Sequence, residues 1–152
     1  MTGGNGSRGR VVVLDTGPLG RISHPRAERR NREIVDWLQQ QLNDGVTVCI
    51  PEIADYEVRR ELLRLNRSKS VERLDQLKAL LTYLPINTQT MIKAAQFWAE
   101  ARRRGKPTAD PQALDGDAIL AAQAVQMNAI VATENIGHLS LFVEAKLWED
   151  VW

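Results

Sequence analysis

Cysteine is nearly missing: among 152 residues there is only Cys49. A lone thiol forms no internal disulfide and supplies no zinc cluster. The apolar company of Val46, Val48 and Ile50 makes it an expected buried core thiol, in keeping with a reducing cytoplasm. Long apolar runs are missing too. The run Val11-Val12-Val13-Leu14 has four residues, whereas a membrane span takes about 20. Neither a membrane span nor a signal-peptide core is expected. No His or Cys pair stands at metal-ligand spacing. Basic residues are scarce at one end of the chain. Residues 111–152 hold one Lys against six Asp+Glu, while residues 1–110 hold 19 Lys+Arg against 13 Asp+Glu.

What is present suits one soluble globular domain: 43% hydrophobic and 26% charged residues, at a length that buries a sizeable core. The basic residues cluster at Arg26/Arg29/Arg30/Arg32, at Arg59/Arg60/Arg64/Arg67 and at Arg102/Arg103/Arg104/Lys106. Such clusters suit a polyanion, or form solvated helix faces with partners such as Glu28–Arg32.

Residues 1–9, with four glycines and no apolar anchor, are expected to be a flexible tail, and 10–152 a single domain. Arg10–Leu14 reads as a buried strand that ends at Asp15-Thr16-Gly17-Pro18. A loop around Ser23-His24-Pro25 leads to a helix over 27–42, with Ile34, Val35, Leu38 and Leu42 on one side. Val46–Ile50 is a second strand, stopped by Pro51. Helices follow over 52–66 (Ile53, Val58, Leu62, Leu65) and 69–82 (Val71, Leu74, Leu77, Leu80, Leu81). Tyr83–Ile86 is a short strand, and Asn87 or Thr88 caps a helix over 88–104. Residues 106–114 read as a loop, with Asp115 capping a helix over 116–127. Ala129–Ala132 is a fourth strand, followed by a turn and short helix to Ser140, and Lys146–Val151 is a weak edge strand. Strands separated by helices predict an α/β fold: a parallel sheet covered on both faces. In such sheets ligands bind beyond the carboxyl ends of the strands.

Three acids converge on that edge in this reading. Asp15 follows the first strand directly. Asp117 lies in the first turn of the expected helix 116–127, at the end nearest the edge; Asp115 competes with it as cap or ligand. Glu57 borders the apolar stripe of the helix after the second strand. Taken singly, these acids also fit a turn cap, helix-dipole compensation, and an ion pair with Arg60 or Arg64. Gathered together they repel one another and raise one another's pKa, a penalty that a divalent cation removes. Hard oxygen ligands without His or Cys favour Mg²⁺ or Mn²⁺ over Zn²⁺. A hard cation beside arginines suits phosphodiester cleavage.

The segments VVVLDTGPLG (11–20), IPEIADYEVRREL (50–62), LDGDAILAAQA (114–124) and IVATENIGHLSLF (130–142) resemble, in order, those of the PIN-domain ribonucleases, which include the toxins of VapBC-type toxin–antitoxin pairs. The resemblance implies a three-layer αβα fold with a parallel sheet of order 3-2-1-4-5. It also implies an acidic Mg²⁺ or Mn²⁺ site of Asp15, Glu57 and Asp117, with Thr133 at the end of the fourth strand. Many members carry an acid two residues later, where this chain has Asn135, which offers a carbonyl oxygen but no charge. Glu134 replaces that acid only if the turn re-aims it. His138 is a tempting acid or base, with packing near the edge as its plainer role.

The expected function is a Mg²⁺/Mn²⁺-dependent endoribonuclease acting on single-stranded or loop RNA and leaving 5′-phosphate and 3′-hydroxyl ends, as the resemblance implies. Asp15, Glu57 and Asp117 carry the chemistry, Thr133, Asn135 and Asp115 assist, and Arg60 and Arg64 contact phosphate. Apolar surface on the helices bearing Leu62/Leu63/Leu65 and Leu74/Leu77/Leu80/Leu81 suits a homodimer or an antitoxin partner. Alternatives are a non-catalytic RNA-binding protein of the same fold and a housekeeping RNA-processing nuclease without an antitoxin. An aspartic protease is excluded by the helix content. A phosphatase with Asp15 as nucleophile would want a second Asp where Gly17 stands.

Overall fold

Strand β1 (Val11–Leu14) lies in the middle of a five-stranded parallel sheet, between β2 (Thr47–Pro51) and β4 (Ile130–Thr133). Strands β3 (Thr82–Leu84) and β5 (Ala145–Leu147) complete the order β3-β2-β1-β4-β5, the expected 3-2-1-4-5. The computed structural model describes residues 9–24, 28–104, 111–137 and 139–152, with the side chains of 111–113 left aside. Most of the expected N-terminal tail, the loop at Pro25 and His138 therefore lie outside the described residues.

Six helices cross between the strands: α1 (Thr16–Ser23), α2 (Arg29–Asn43), α3 (Glu52–Arg64), α4 (Ser68–Leu80), α5 (Thr88–Arg103) and α6 (Pro111–Gln126). Side chains alternate across the pleat. Val12, Leu14, Val48 and Ile50 join α1, α2 and α4 in one core, packed around Leu19, Ile34 and Leu74. Val13, Cys49 and Val131 face the other way, against Leu120 and Ala124 of α6. Helix α5 forms an outer layer there, its Ala94 and Phe97 set on Ala118, Ala121 and Ala122. The small residues of α6 allow this close stacking. Cys49 is fully buried, and burial pushes its thiol up to about 11.

The structure departs from the sequence reading in several places, among them the third strand, expected over Tyr83–Ile86 and found at Thr82–Leu84. Residues 16–23, read as a turn and loop, form α1: the Asp15 side chain caps it by accepting from Thr16 N at 2.7 Å. Pro18 is harmless there, because the first turn's N–H groups have no intrahelical partner to lose. Asp115 is not a cap. Helix α6 begins at Pro111, a favoured first helical position, so Asp115 and Asp117 lie in its second turn. Leu65 and Leu80, expected on apolar stripes, are exposed, while Leu74 and Leu77 are buried as read. The last strand is β5, and Trp148–Asp150 is a 3₁₀ turn. Asn87 does cap α5, in a reciprocal arrangement with Thr90. Among the described residues no helix is long and apolar enough to cross a membrane.

Candidate active site

The parallel strands deliver Asp15, at the end of β1, and Thr133, at the end of β4, to one sheet edge. The β1–β4 ladder continues past the strand with Asp15 N donating to Ala132 O at 3.0 Å, which fixes the Asp15 backbone. Thr133 is buried and donates its hydroxyl to Asp15 Oδ2 at 2.7 Å, while accepting from Asn135 N at 3.1 Å. Burial raises the Asp15 pKa, and the nearby charge of Glu57 raises it further; the hydrogen bonds from Thr133 and Thr16 oppose the rise.

Thr16 joins this acid to the next. Its backbone N–H donates to Asp15, and its hydroxyl donates to Glu57 Oε1 at 2.7 Å. Glu57 sits on α3, whose start is held by Gln123 of α6. The Gln123 side chain is buried, accepts from Ile53 N at 3.2 Å and donates to Leu84 O at 2.7 Å. It satisfies a first-turn N–H of α3 and a carbonyl of β3 while drawing α6 onto both. This contact sets α3 and α6 side by side. A Cβ added at Gly116 would stand 2.7 Å from Glu57 Oε2, so any other residue there would push that carboxylate from its present position.

Asp15, Thr16, Glu57, Arg60, Asp115 and Asp117 line one cleft of about 680 Å³, with Tyr56 and Gly116 among its other walls. Three acids that are far apart in sequence thus face a common space, and Asp115 adds a fourth carboxylate from α6. Arg60 lies 3.9 Å from Glu57 Oε2, and its guanidinium carbon is over the Tyr56 ring, 5.0 Å from its centre. Arg64 does not line the cleft; it is paired with Glu61 one turn beyond. Asn135 is not among the lining residues either, and its amide oxygen lies 3.4 Å from where a Cβ of Gly137 would be. Glu134 is turned away: it packs on Gly17 and is bound by Arg21.

As placed, no three His, Cys, Asp or Glu side chains among the described residues stand close enough together to share a metal ion. Thr16 draws two of the carboxylates to its own donors instead. The donor chemistry nonetheless suits a hard divalent cation. The oxygens are carboxylate, and the raised Asp15 pKa records a desolvation penalty, with a smaller part from the like charge of Glu57, that a cation relieves. Sequence reasoning missed Thr16, Tyr56, Gly116 and Gln123. A glycine between two aspartates inside a helical stretch was the one local signal that a close approach was needed.

The family model for the PIN domain matches residues 12–140. The chain belongs to the PIN domain family. PIN domains are in general nucleases that break phosphodiester bonds, and they typically use divalent metal ions. Among solved structures this PIN domain is similar to FitAcB from Neisseria gonorrhoeae, with TM-score 0.70 and 26% identity over 92% of this chain and 99% of that one. It is also similar to VapBC2 from Rickettsia felis bound to a fragment of its promoter DNA, with TM-score 0.70 and 15% identity over 91% and 98% of the two chains. DNA-bound VapBC from Salmonella typhimurium gives TM-score 0.69 and 21% identity over 91% and 98%. At identities this low, the last two show the shared fold alone. No curated protein matches the sequence.

Proposed function

We propose that this PIN domain is a Mg²⁺- or Mn²⁺-dependent endoribonuclease, in which Asp15, Glu57 and Asp117 hold the ion. The observation that carries the reading is the cleft itself: three acids from separate segments and one arginine facing a single space. The chemistry such an ion supplies when bound is charge neutralisation at the phosphate and activation of water. The chain's own residues do the rest. Thr133 and the α1 N-terminus hold the Asp15 carboxylate in place. Thr16 orients Glu57, which positions the attacking water or completes the ligand set. Arg60 draws the phosphate to the cleft mouth. Asp115 is at hand to assist, and Asn135 supports the turn behind Thr133 without adding charge.

The biological role we propose is that of a VapC-like toxin in the cytoplasm, restrained by an antitoxin. Complexes with the VapBC and FitAB names share the fold. Leu63, Leu65 and Leu80 leave apolar surface on α3 and α4 for an antitoxin or for a second copy of the chain in a homodimer. Purified protein incubated with RNA in Mn²⁺ is expected to cleave internally, and EDTA to stop it. Growth arrest on expression, relieved by a co-expressed antitoxin, separates the toxin from a housekeeping nuclease. A second reading, RNA binding without catalysis, is favoured by the spacing of the acids as placed and by the neutral Asn135. RNA binding without cleavage in Mn²⁺ would select it.

A further inference from the structure

We infer that Tyr56, backed by Arg60, is a stacking platform for an unpaired base of the RNA strand whose phosphate enters the acidic cleft. The inference rests on reading that cleft as an RNA site, and it names the residue that selects single-stranded substrate. Helix α3 buries Ile53, Ala54, Asp55 and Val58, so Tyr56 is on the opposite side of the helix from its core contacts. Tyr56 is 56% exposed, which core packing does not explain. It lines the same cleft as the three acids. The Arg60 guanidinium carbon, one turn on, lies over this ring, 5.0 Å from its centre. Arg59 and Arg64 are held by carboxylates at hydrogen-bonding distance. Arg60 reaches an acid only at 3.9 Å, interacts with the Tyr56 side chain and lines the cleft.

An exposed aromatic ring with a cation beside it, at the edge of an acidic cleft, offers a nucleobase a face to stack on and its adjoining phosphate a counter-charge. Bases stack on aromatic side chains and on guanidinium planes, and stacking tolerates any base because each has a π-face. A base inside a duplex has both faces covered by its neighbours. The platform therefore admits single strands, loops and bulges and rejects paired RNA.

The test is fluorescence anisotropy in Ca²⁺, with gels confirming that the RNA stays intact. The probes are a labelled oligouridylate and an abasic ribose-phosphate oligomer of the same length and charge. Tyr56→Leu is expected to bind the oligouridylate about tenfold more weakly than the parent chain. Tyr56→Phe should stay within about twofold, because the ring is kept. Neither variant should lose affinity for the abasic probe. Wild-type affinity of a folded Tyr56→Leu for both probes, or an equal loss on both, overturns the inference; the first result would leave the ring to a protein partner. Should Tyr56→Leu not fold, the unmodified chain still decides, since equal affinity for the two probes is incompatible with stacking. Tyr56-dependent binding without cleavage in Mn²⁺ would sink the nuclease and keep the platform. Cleavage with Tyr56-independent binding would do the reverse.

Discussion

The hydroxyl of Thr16 donates to Glu57 Oε1 at 2.7 Å, tying the first residue of α1 to the middle of α3 across 41 residues of chain. The same residue's N–H is bound by Asp15, so one threonine spaces two of the cleft acids. Thr16→Val keeps the shape and removes the donor. Glu57 is partly exposed, so water replaces some of the lost bond and the cost to stability should be about 1 kcal/mol. Mn²⁺ affinity, read by calorimetry, is expected to fall about tenfold, the usual loss when a partner orienting a ligand is removed. Thr16→Ser should restore both. Unchanged Mn²⁺ affinity in Thr16→Val would remove Thr16 from the site.

Asp15→Asn is expected to abolish RNA cleavage in Mn²⁺ and, without metal, to stabilise the fold at neutral pH. Burial raises the Asp15 pKa above its ordinary value of 3.8, so the folded chain disfavours the charged form. That cost is absent below the unfolded value and complete above the folded one. The advantage of Asp15→Asn should therefore be present at neutral pH and fade as acid is added. Adding Mn²⁺ should stabilise the parent chain and not the variant. Urea midpoints for both proteins, at neutral and acid pH and with and without Mn²⁺, test this. A variant no more stable than its parent at neutral pH would contradict it.

Gly116→Ala sets two effects against each other. Alanine is the better helix former by about 1 kcal/mol. Its methyl group, however, would come within 2.7 Å of Glu57 Oε2, the mobile end of a side chain that can swing aside. We expect a protein at least as heat-stable as the parent that has lost most of its cleavage activity. Full activity would mean that the position of Glu57 against α6 is not used.

Asp55 lies on the buried side of α3, accepts from Arg59, and meets Lys78 Nζ at 3.1 Å. Removing one partner of a buried pair costs about 3–5 kcal/mol when the other is stranded. Here Arg59 keeps Asp75 and Lys78 can turn to water, so Asp55→Ala should cost about 2 kcal/mol. Denaturant unfolding should show that loss, while cleavage per folded molecule stays near the parent rate. A fall in specific activity would mean that the network also sets the aim of α3.

The sequence by itself determined the strand cores, most of the helical stripes, a cap at Asn87 or Thr88 and the parallel sense of the sheet, while the strand order was implied by the family resemblance. These follow from short-range preferences: alternation, periodicity, and side chains bonding to a backbone a few residues away. It also pointed to Asp15, because chain order and a parallel sheet place strand ends at one edge; Glu57 and Asp117 lie on helices, and it is the packing of α3 and α6 that brings them to the same cleft. Local signals failed first where one outweighed another, and then where only tertiary contact decides. Asp15-Thr16-Gly17-Pro18 has turn chemistry, yet Asp15 caps a helix, α1, that starts there. Asp115 looks like a cap, yet α6 begins earlier at Pro111. Arg60 and Arg64 are equivalent on a helical wheel, and only position along α3 puts one in the cleft and the other against Glu61. Thr16 with Glu57 and Gln123 with Ile53 are pairs 41 and 70 residues apart, formed once the sheet has closed the intervening loops. Bonds of that kind leave no periodic trace in a sequence, because their spacing is set by how elements cross and not by the geometry of any one of them.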